Sequence, residues 1–406
     1  MTRIKAALVT AVLILCAGCA SAKVHSAGDQ PPAARPAPVR AAGEVTRTLP
    51  GCTNATQAAP ALPAGDTAME SVPGSPFGVA VGASGRWAFV SLGQEIGLYR
   101  LGSSRLPALV RQYPAPGAAA LGNALSGDGK YLLTADDGSG ATVLSVSAAE
   151  RDAPSAIIGE LRATGPAGGG AIETAVTPDG RFAFVSLEDA DAIAVFRLPA
   201  DPAFGPADYV GSIPAQTAPV GLAISPDGHW LYSTSEVERP PSMVGSLTVI
   251  SVARAETDPA RSIVARVAAG CNPVRVITSA DGRIVWVTAR ASDALLAFSA
   301  TRLRADPAHA LLADVGVGEL PVGLVLARAG SLVVVADSDR FDVASAHASL
   351  AVVDVADALA GRPALVGYLP AGGFPREMAL EPSGRTLLVT NYTSGQLEVV
   401  NLAELP

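Results

Sequence analysis

The stretch Leu387–Leu402 reads LLVTNYTSGQLEVVNL: two runs of alternating apolar and polar residues on either side of an Asn-Tyr-Thr-Ser-Gly turn. That pattern predicts a β-hairpin with one face of each strand buried. A lone hairpin is not stable in water, so it must be part of a larger sheet. Six earlier stretches match its first strand and the segment before it: FGVAVGASGRWAFVSL, LGNALSGDGKYLLTAD, IETAVTPDGRFAFVSL, VGLAISPDGHWLYSTS, VRVITSADGRIVWVTA and VGLVLARAGSLVVVAD, with REMALEPSGRTLLVTN as the seventh copy. Their turn glycines are Gly85, Gly129, Gly180, Gly228, Gly282, Gly330 and Gly384. The period of about fifty residues is that of propeller blades.

Each copy reads as a strand, a tight turn and a second strand, and a third follows, from IGLYRL in the first copy to LEVVNL in the last. A fourth strand precedes the next copy in six cases: ALVRQY, AIIGEL, YVGSI, IVARV, LLADV and ALVGYL. The seventh copy runs out of chain after three. The missing strand is AMESV, Ala68 to Val72, immediately before the first copy. The prediction is an all-β, seven-bladed β-propeller of four-stranded antiparallel blades over residues 67–406. An N-terminal strand closes it by pairing with the C-terminal three, which removes the exposed edge.

Composition agrees with many short buried strands: hydrophobic residues make up 49% of the chain and charged residues only 16%. The net charge of −8 leaves no basic footprint for nucleic acid. At the N-terminus, Arg3 and Lys5 precede an apolar run from Ala6 to Leu15 and then small residues, the pattern of a secretory signal over residues 1–18. Cys16-Ala17-Gly18-Cys19 resembles a bacterial lipobox, which implies acylation of Cys19 and an extracytoplasmic, lipid-anchored protein, on the outer membrane if the envelope has two. Residues 19–66, rich in Ala, Pro and Gly, read as a tether. Cys52 and Cys271 then remain, and in an exported protein they either form a disulfide or stay unpaired. If bonded, they would draw the tail over the channel mouth as a lid.

The phrases LLVTNYTSGQLEVVNL, ISPDGHWLYSTS and VTPDGRFAFVSLEDADAIAVFRL resemble the YVTN-repeat propellers, a group that overlaps the lactonase-type seven-bladed propellers and YncE-like exported proteins. The likeness spans residues 68–402 and speaks for fold more than for activity.

Seven residues before each turn glycine lies a ring at the top of the central channel: Gly78, Gly122, Glu173, Gly221, Arg275, Gly323 and Glu377. Charge enters from blades three, five and seven, with Arg376 beside Glu377. Glu173, Arg275, Arg376 and Glu377 fit three roles: a salt-bridged plug, a site for a polar ligand, or a hydrolytic site with a carboxylate base and a guanidinium stabilising an oxyanion. Pro375-Arg376-Glu377 resembles the Pro-Arg-His of lactonase-type propellers, with Glu377 where His is usual. Asn123, one position further in on blade two, joins the candidate ligand-binding set. Resemblance to gluconolactonase-like propellers would make Ca²⁺ the cofactor if there is one, since hard oxygen donors suit it. No second inner-strand Asn or Asp completes such a set, so the expectation is no metal. The four histidines, His25, His229, His309 and His347, fall in separate places, and no Cys-x-x-Cys-His marks covalent haem. Acidic loops on the top face, with Glu188, Asp189 and Glu236 among them, read as solvated. The leading expectation is a monomeric binding or scaffold module for a polar small molecule or an envelope protein, with a lactonase-like hydrolase as the alternative.

Overall fold

The computed structural model describes residues 48–405, apart from 53–56, 64–66, 103–105, 165–168, 200–208, 238–240 and 341–347. The expected signal segment, Cys19 and the first part of the expected tether lie outside the described residues. Seven four-stranded antiparallel sheets are arranged as blades, six of them built from four consecutive strands. The seventh joins Thr67–Ser71 to the outer edge of Gln396–Asn401, with Ala68 opposite Val399 and Glu70 opposite Leu397. The closing strand thus lies one residue earlier than Ala68 to Val72.

Local chemistry sets each blade's inner hairpin. All seven turn glycines have φ between 66° and 86°, a conformation a Cβ disfavours. In blades two to five the turn is locked by a Ser or Thr two residues before an Asp. Thr177 Oγ1 donates to Asp179 at 2.6 Å and accepts from Phe182 N at 3.0 Å, while Arg181 N donates to Asp179 at 3.1 Å. The second strands carry the large buried side chains, Phe89, Phe184, Tyr232 and Trp286, which fill the gaps between neighbouring blades.

The blades are stitched together by one recurring hydroxyl. Where two inner-strand residues bulge opposite a single second-strand residue, that residue is Ser186, Thr234, Thr288 or Thr390 in blades three, four, five and seven. Each hydroxyl donates to a carbonyl of the next blade: Ser186 to Val220 (3.0 Å), Thr234 to Val274 (2.7 Å), Thr288 to Val322 (2.7 Å), and Thr390 across the closure to Phe77 (2.7 Å). Between blades one and two the same task falls to Asn123. Its amide oxygen accepts from Ser91 (3.0 Å) and Thr134 (2.7 Å), and its Nδ2 donates to Phe89 O (3.4 Å). Asn123, a candidate for the ligand-binding set, thus ties the two blades together through these bonds.

A second correction concerns the tether. Its last part is a belt on the rim of the ring. Leu49 packs into the core cluster of blades four and five, and Cys52 is disulfide-bonded to Cys271, the last residue of blade four's outer strand (Ile263–Cys271). Gln57 lies against Gly316 at the end of blade five's outer strand, where a Cβ would come within 2.6 Å of it. On blade six, Tyr368 N donates to Pro60 O (3.0 Å), Leu62 N donates to Tyr368 O (2.8 Å), and the Tyr368 hydroxyl donates to Gln57 O (2.7 Å). The chain then becomes the fourth strand of blade seven. An extended segment without periodicity satisfies its backbone groups on the edges of other strands, so its sequence carries no strand signal. Its described residues skirt the perimeter, so the lid over the channel mouth is not formed by them.

Candidate functional site

Five blades bulge at the same level of the inner strand, between Ala171 and Thr174, Pro219 and Leu222, Pro273 and Val276, Pro321 and Leu324, and Pro375 and Met378. A bulge puts two successive residues opposite one and re-aims their side chains. The second bulged residue supplies Glu173, Arg275 and Glu377, and glycine in blades four and six. The stitching hydroxyls hold these backbones: Ser186 accepts from Glu173 N (3.1 Å), Thr288 from Arg275 N (3.1 Å) and Thr390 from Glu377 N (3.0 Å).

The three charged side chains meet. Arg275 Nε lies 2.5 Å from Glu377 Oε1 and 3.3 Å from Glu173 Oε2, with side-chain exposures of only 6%, 17% and 12% respectively. Room for Glu173 comes from Gly122 of the neighbouring blade, where a Cβ would sit 2.5 Å from its Oε1. The first bulged residue builds an apolar collar beside the ions: Val220, Val274 and Val322 pack with Phe374, Ile172 and Tyr392. In blade seven this position is Arg376. Its guanidinium sits over the Phe77 ring at 3.6 Å, with Phe374 and Tyr392 at 5.3 and 5.6 Å.

Burial governs the electrostatics. The Glu173 carboxyl is pushed up to about 8 because it is desolvated, with Arg275 opposing the shift and Glu377 adding to it. Burial and the like charge of Arg275 bring Arg376 down to about 9. Arg275 itself keeps its proton more firmly than usual; burial works against it, but Glu377 and Glu173 outweigh that cost. The hydrogen-bonding capacity of the cations is incomplete: Arg275 Nη2 and Arg376 Nε are buried without an acceptor. Desolvated donors of this kind are costly unless something accepts from them.

The four charged candidates from the sequence are thus brought together. Sequence reasoning missed the second tier. Arg290, from the loop after blade five's second strand, pairs with Glu236 of blade four at 2.9 Å, both nearly buried. Glu188 stands near them with its carboxyl pushed up to about 7 by burial, Glu236 and Asp189. Glu188 and Glu236 are turned inward from loops that otherwise read as solvated acid. Arg290 in an acidic loop region was the available signal. Among the described residues, no group of three or more His, Cys, Asp or Glu is placed to hold a metal ion.

The family described as "Lactonase, 7-bladed beta-propeller" matches residues 96–345. The chain belongs to this lactonase family of propellers. The match contains Glu173, Arg275, Glu188, Glu236 and Arg290 and stops before Arg376 and Glu377. No curated protein sequence matches this lactonase-family propeller. Among solved structures it is similar to "Kuenenia stuttgartiensis Hydrazine Synthase", at 18% identity over 82% of this chain and 97% of that one, with a TM-score of 0.64. At that identity the likeness concerns the fold alone.

Proposed function

We propose that the channel mouth of this lactonase-family propeller binds a small molecule through a carboxylate or ester carbonyl. The observation that carries the reading is the pair of buried guanidinium N–H groups, on Arg275 and Arg376, that lack an acceptor beside a carboxyl titrating near 8. An oxygen-rich ligand would supply the missing acceptor, and the apolar collar would exclude water from it. Calorimetric titration with a panel of hydroxy acids and their lactones tests this. Arg376→Met is expected to weaken binding about tenfold or more, as loss of a charge-assisted hydrogen bond does. Glu173 keeps its proton below about 8 and becomes an anion above it. Affinity for a carboxylate ligand should therefore fall as pH rises through 8, and Glu173→Gln should abolish that fall. No binder in the panel, or an unchanged pH step in the Gln variant, would defeat the reading.

A second reading, lactone hydrolysis, is favoured by the family match. Glu173 would then take a proton from the attacking water while Arg275 and Arg376 face the developing oxyanion. The pH dependence separates the two, because a base is active only when ionised. Hydrolysis should rise through pH 8 where binding of an anion falls.

The setting we propose is extracytoplasmic, with the chain acylated at Cys19 and anchored in the cell envelope, supported by the signal-like N-terminus. Mass spectrometry of the mature protein should find a lipidated Cys19 at its N-terminus. An unlipidated N-terminus elsewhere would remove the anchor.

A further inference from the structure

The underside of the ring, where the turn glycines lie, contains a built-in comparison. In blades two to five the residue after the glycine is basic and pairs with the turn's own Asp: Lys130 with Asp128 at 2.8 Å, Arg181 with Asp179 at 2.7 Å, His229 with Asp227 at 3.5 Å and Arg283 with Asp281 at 3.7 Å. Blade one keeps the basic residue, Arg86, but has Ser84 where those blades have Asp. Among the described residues no carboxylate is paired with it.

Two more arginines converge there. Arg100 ends blade one's third strand (Glu95–Arg100), directly across from Trp87, and its guanidinium lies 5.3 Å above the indole. Arg151 follows the short helix Val146–Glu150 of blade two. With Trp87, Ser147 and Glu150 they line a cleft of about 420 Å³. Among the described residues none of the three guanidinium groups is ion-paired with a carboxylate, and all three residues are exposed. Asp152 is bound to Arg111, and Glu150 is the one carboxylate in the lining. Glu381 lies at the edge, 3.4 Å from where a Cβ on Gly85 would sit, and keeps its charge, since its bond from Ser383 is to a neutral hydroxyl. Three cations against Glu150 and the neighbouring Glu381 leave the cleft at +1 on a chain whose net charge is −8.

We propose that this cleft binds a phosphate-bearing ligand. Planar guanidinium forks match phosphate oxygens two at a time, and a phosphate group carries the charge opposite to the excess in the cleft. The indole forms a rigid apolar wall that keeps Arg100 extended, and the Ser147 hydroxyl is a further donor at the rim. The phosphate belongs either to a soluble compound or to a lipid headgroup; the chemistry at the arginines is the same. The site is remote in kind from the channel mouth and does not depend on what binds there.

The test uses the full chain carrying Cys19→Ala, so that no acyl group interferes. It is titrated with inorganic phosphate, followed by calorimetry and tryptophan fluorescence, and separately with vesicles of phosphatidylglycerol in phosphatidylcholine against pure phosphatidylcholine. Saturable, salt-sensitive binding of phosphate assigns a soluble ligand, and binding only to the anionic vesicles assigns a headgroup. Arg86→Ala and Arg151→Ala should each weaken binding about tenfold, in line with a lost charge-assisted contact. Ser84→Asp, which gives Arg86 the partner that other blades have, should weaken it similarly without removing any arginine. Arg283→Ala, whose arginine is already paired, should leave binding unchanged, and melting temperatures confirm that the variants fold. Failure to bind either probe overturns the proposal, as does binding that survives Arg86→Ala, Arg151→Ala and Ser84→Asp alike.

Discussion

Arg275→Met is expected to destabilise the propeller by about 3–5 kcal/mol at neutral pH, the range for removing one partner of a buried ion pair. Among the described residues, Arg275 is the one cation in direct contact with both Glu173 and Glu377. Without it Glu377 loses its counter-ion beside the desolvated Glu173, which is already protonated at neutral pH, so Glu377 must take up a proton or expand the channel. The sign of the pH dependence follows. Carboxyls whose folded-state pKa lies above the unfolded value bind more protons when folded, so the variant's deficit should be small below about pH 4.5 and grow as pH rises through 8. Adding Glu173→Gln and Glu377→Gln should recover most of the loss, since replacing the whole set costs far less than orphaning part of it. Denaturant melts from pH 4 to 9 provide the measurement. A deficit under about 1 kcal/mol that is flat with pH would mean that the triad is solvated and no plug exists.

The second large effect concerns the belt. Cys52 and Cys271 are 219 residues apart in sequence, so their bond closes a very long loop. Chain-entropy arithmetic for a loop of that length gives about 5 kcal/mol, and strain or residual unfolded-state structure usually lowers the realised value to about 2–4 kcal/mol. The consequence is also topological. The belt leads into Thr67–Ser71, the strand that closes the ring, so cutting the bond frees that strand from its fixed point on blade four. Cys52→Ser with Cys271→Ser, or reduction of the native protein, should lower the denaturant midpoint and raise amide exchange first in Thr67–Ser71 and its partner Gln396–Asn401. Equal midpoints with and without reductant would show that the belt's other contacts suffice. Those contacts are the Pro60 and Leu62 bonds to Tyr368 and the packing of Leu49 and Leu62.

The channel mouth repeats on a small scale the division between what repeats and what does not. The ring Gly78, Gly122, Glu173, Gly221, Arg275, Gly323 and Glu377 was legible because a residue type that departs from a repeated pattern is visible at once. The reason for the glycines was not legible. At Gly78, Gly221 and Gly323 a Cβ would come within 2.4 Å of a carbonyl of the next blade. Glu236 and Arg290 were invisible as a pair because they are 54 residues apart and meet only where two neighbouring blades pack together. The bonds of Asn123 were hidden for the same reason: Ser91 of one blade and Thr134 of another meet on its amide only once the blades are packed.

By itself the sequence determined the seven blades, their four strands and the closure of the last blade by the first strand. Those features are written locally, in alternation with a period of two and a turn that needs φ > 0, and they are repeated seven times over. The level at which charge enters the channel was determined too, since register within a hairpin fixes it. What only the tertiary structure decided are the contacts between blades and around the rim: the bulge that turns Glu173, Arg275 and Glu377 toward one point, the hydroxyl stitches, the second tier at Arg290, and the belt from Leu49 to Leu62. These rest on distances between segments far apart in the chain. No local pattern encodes such distances, and burial, which sets the protonation of Glu173, exists only once the ring has closed.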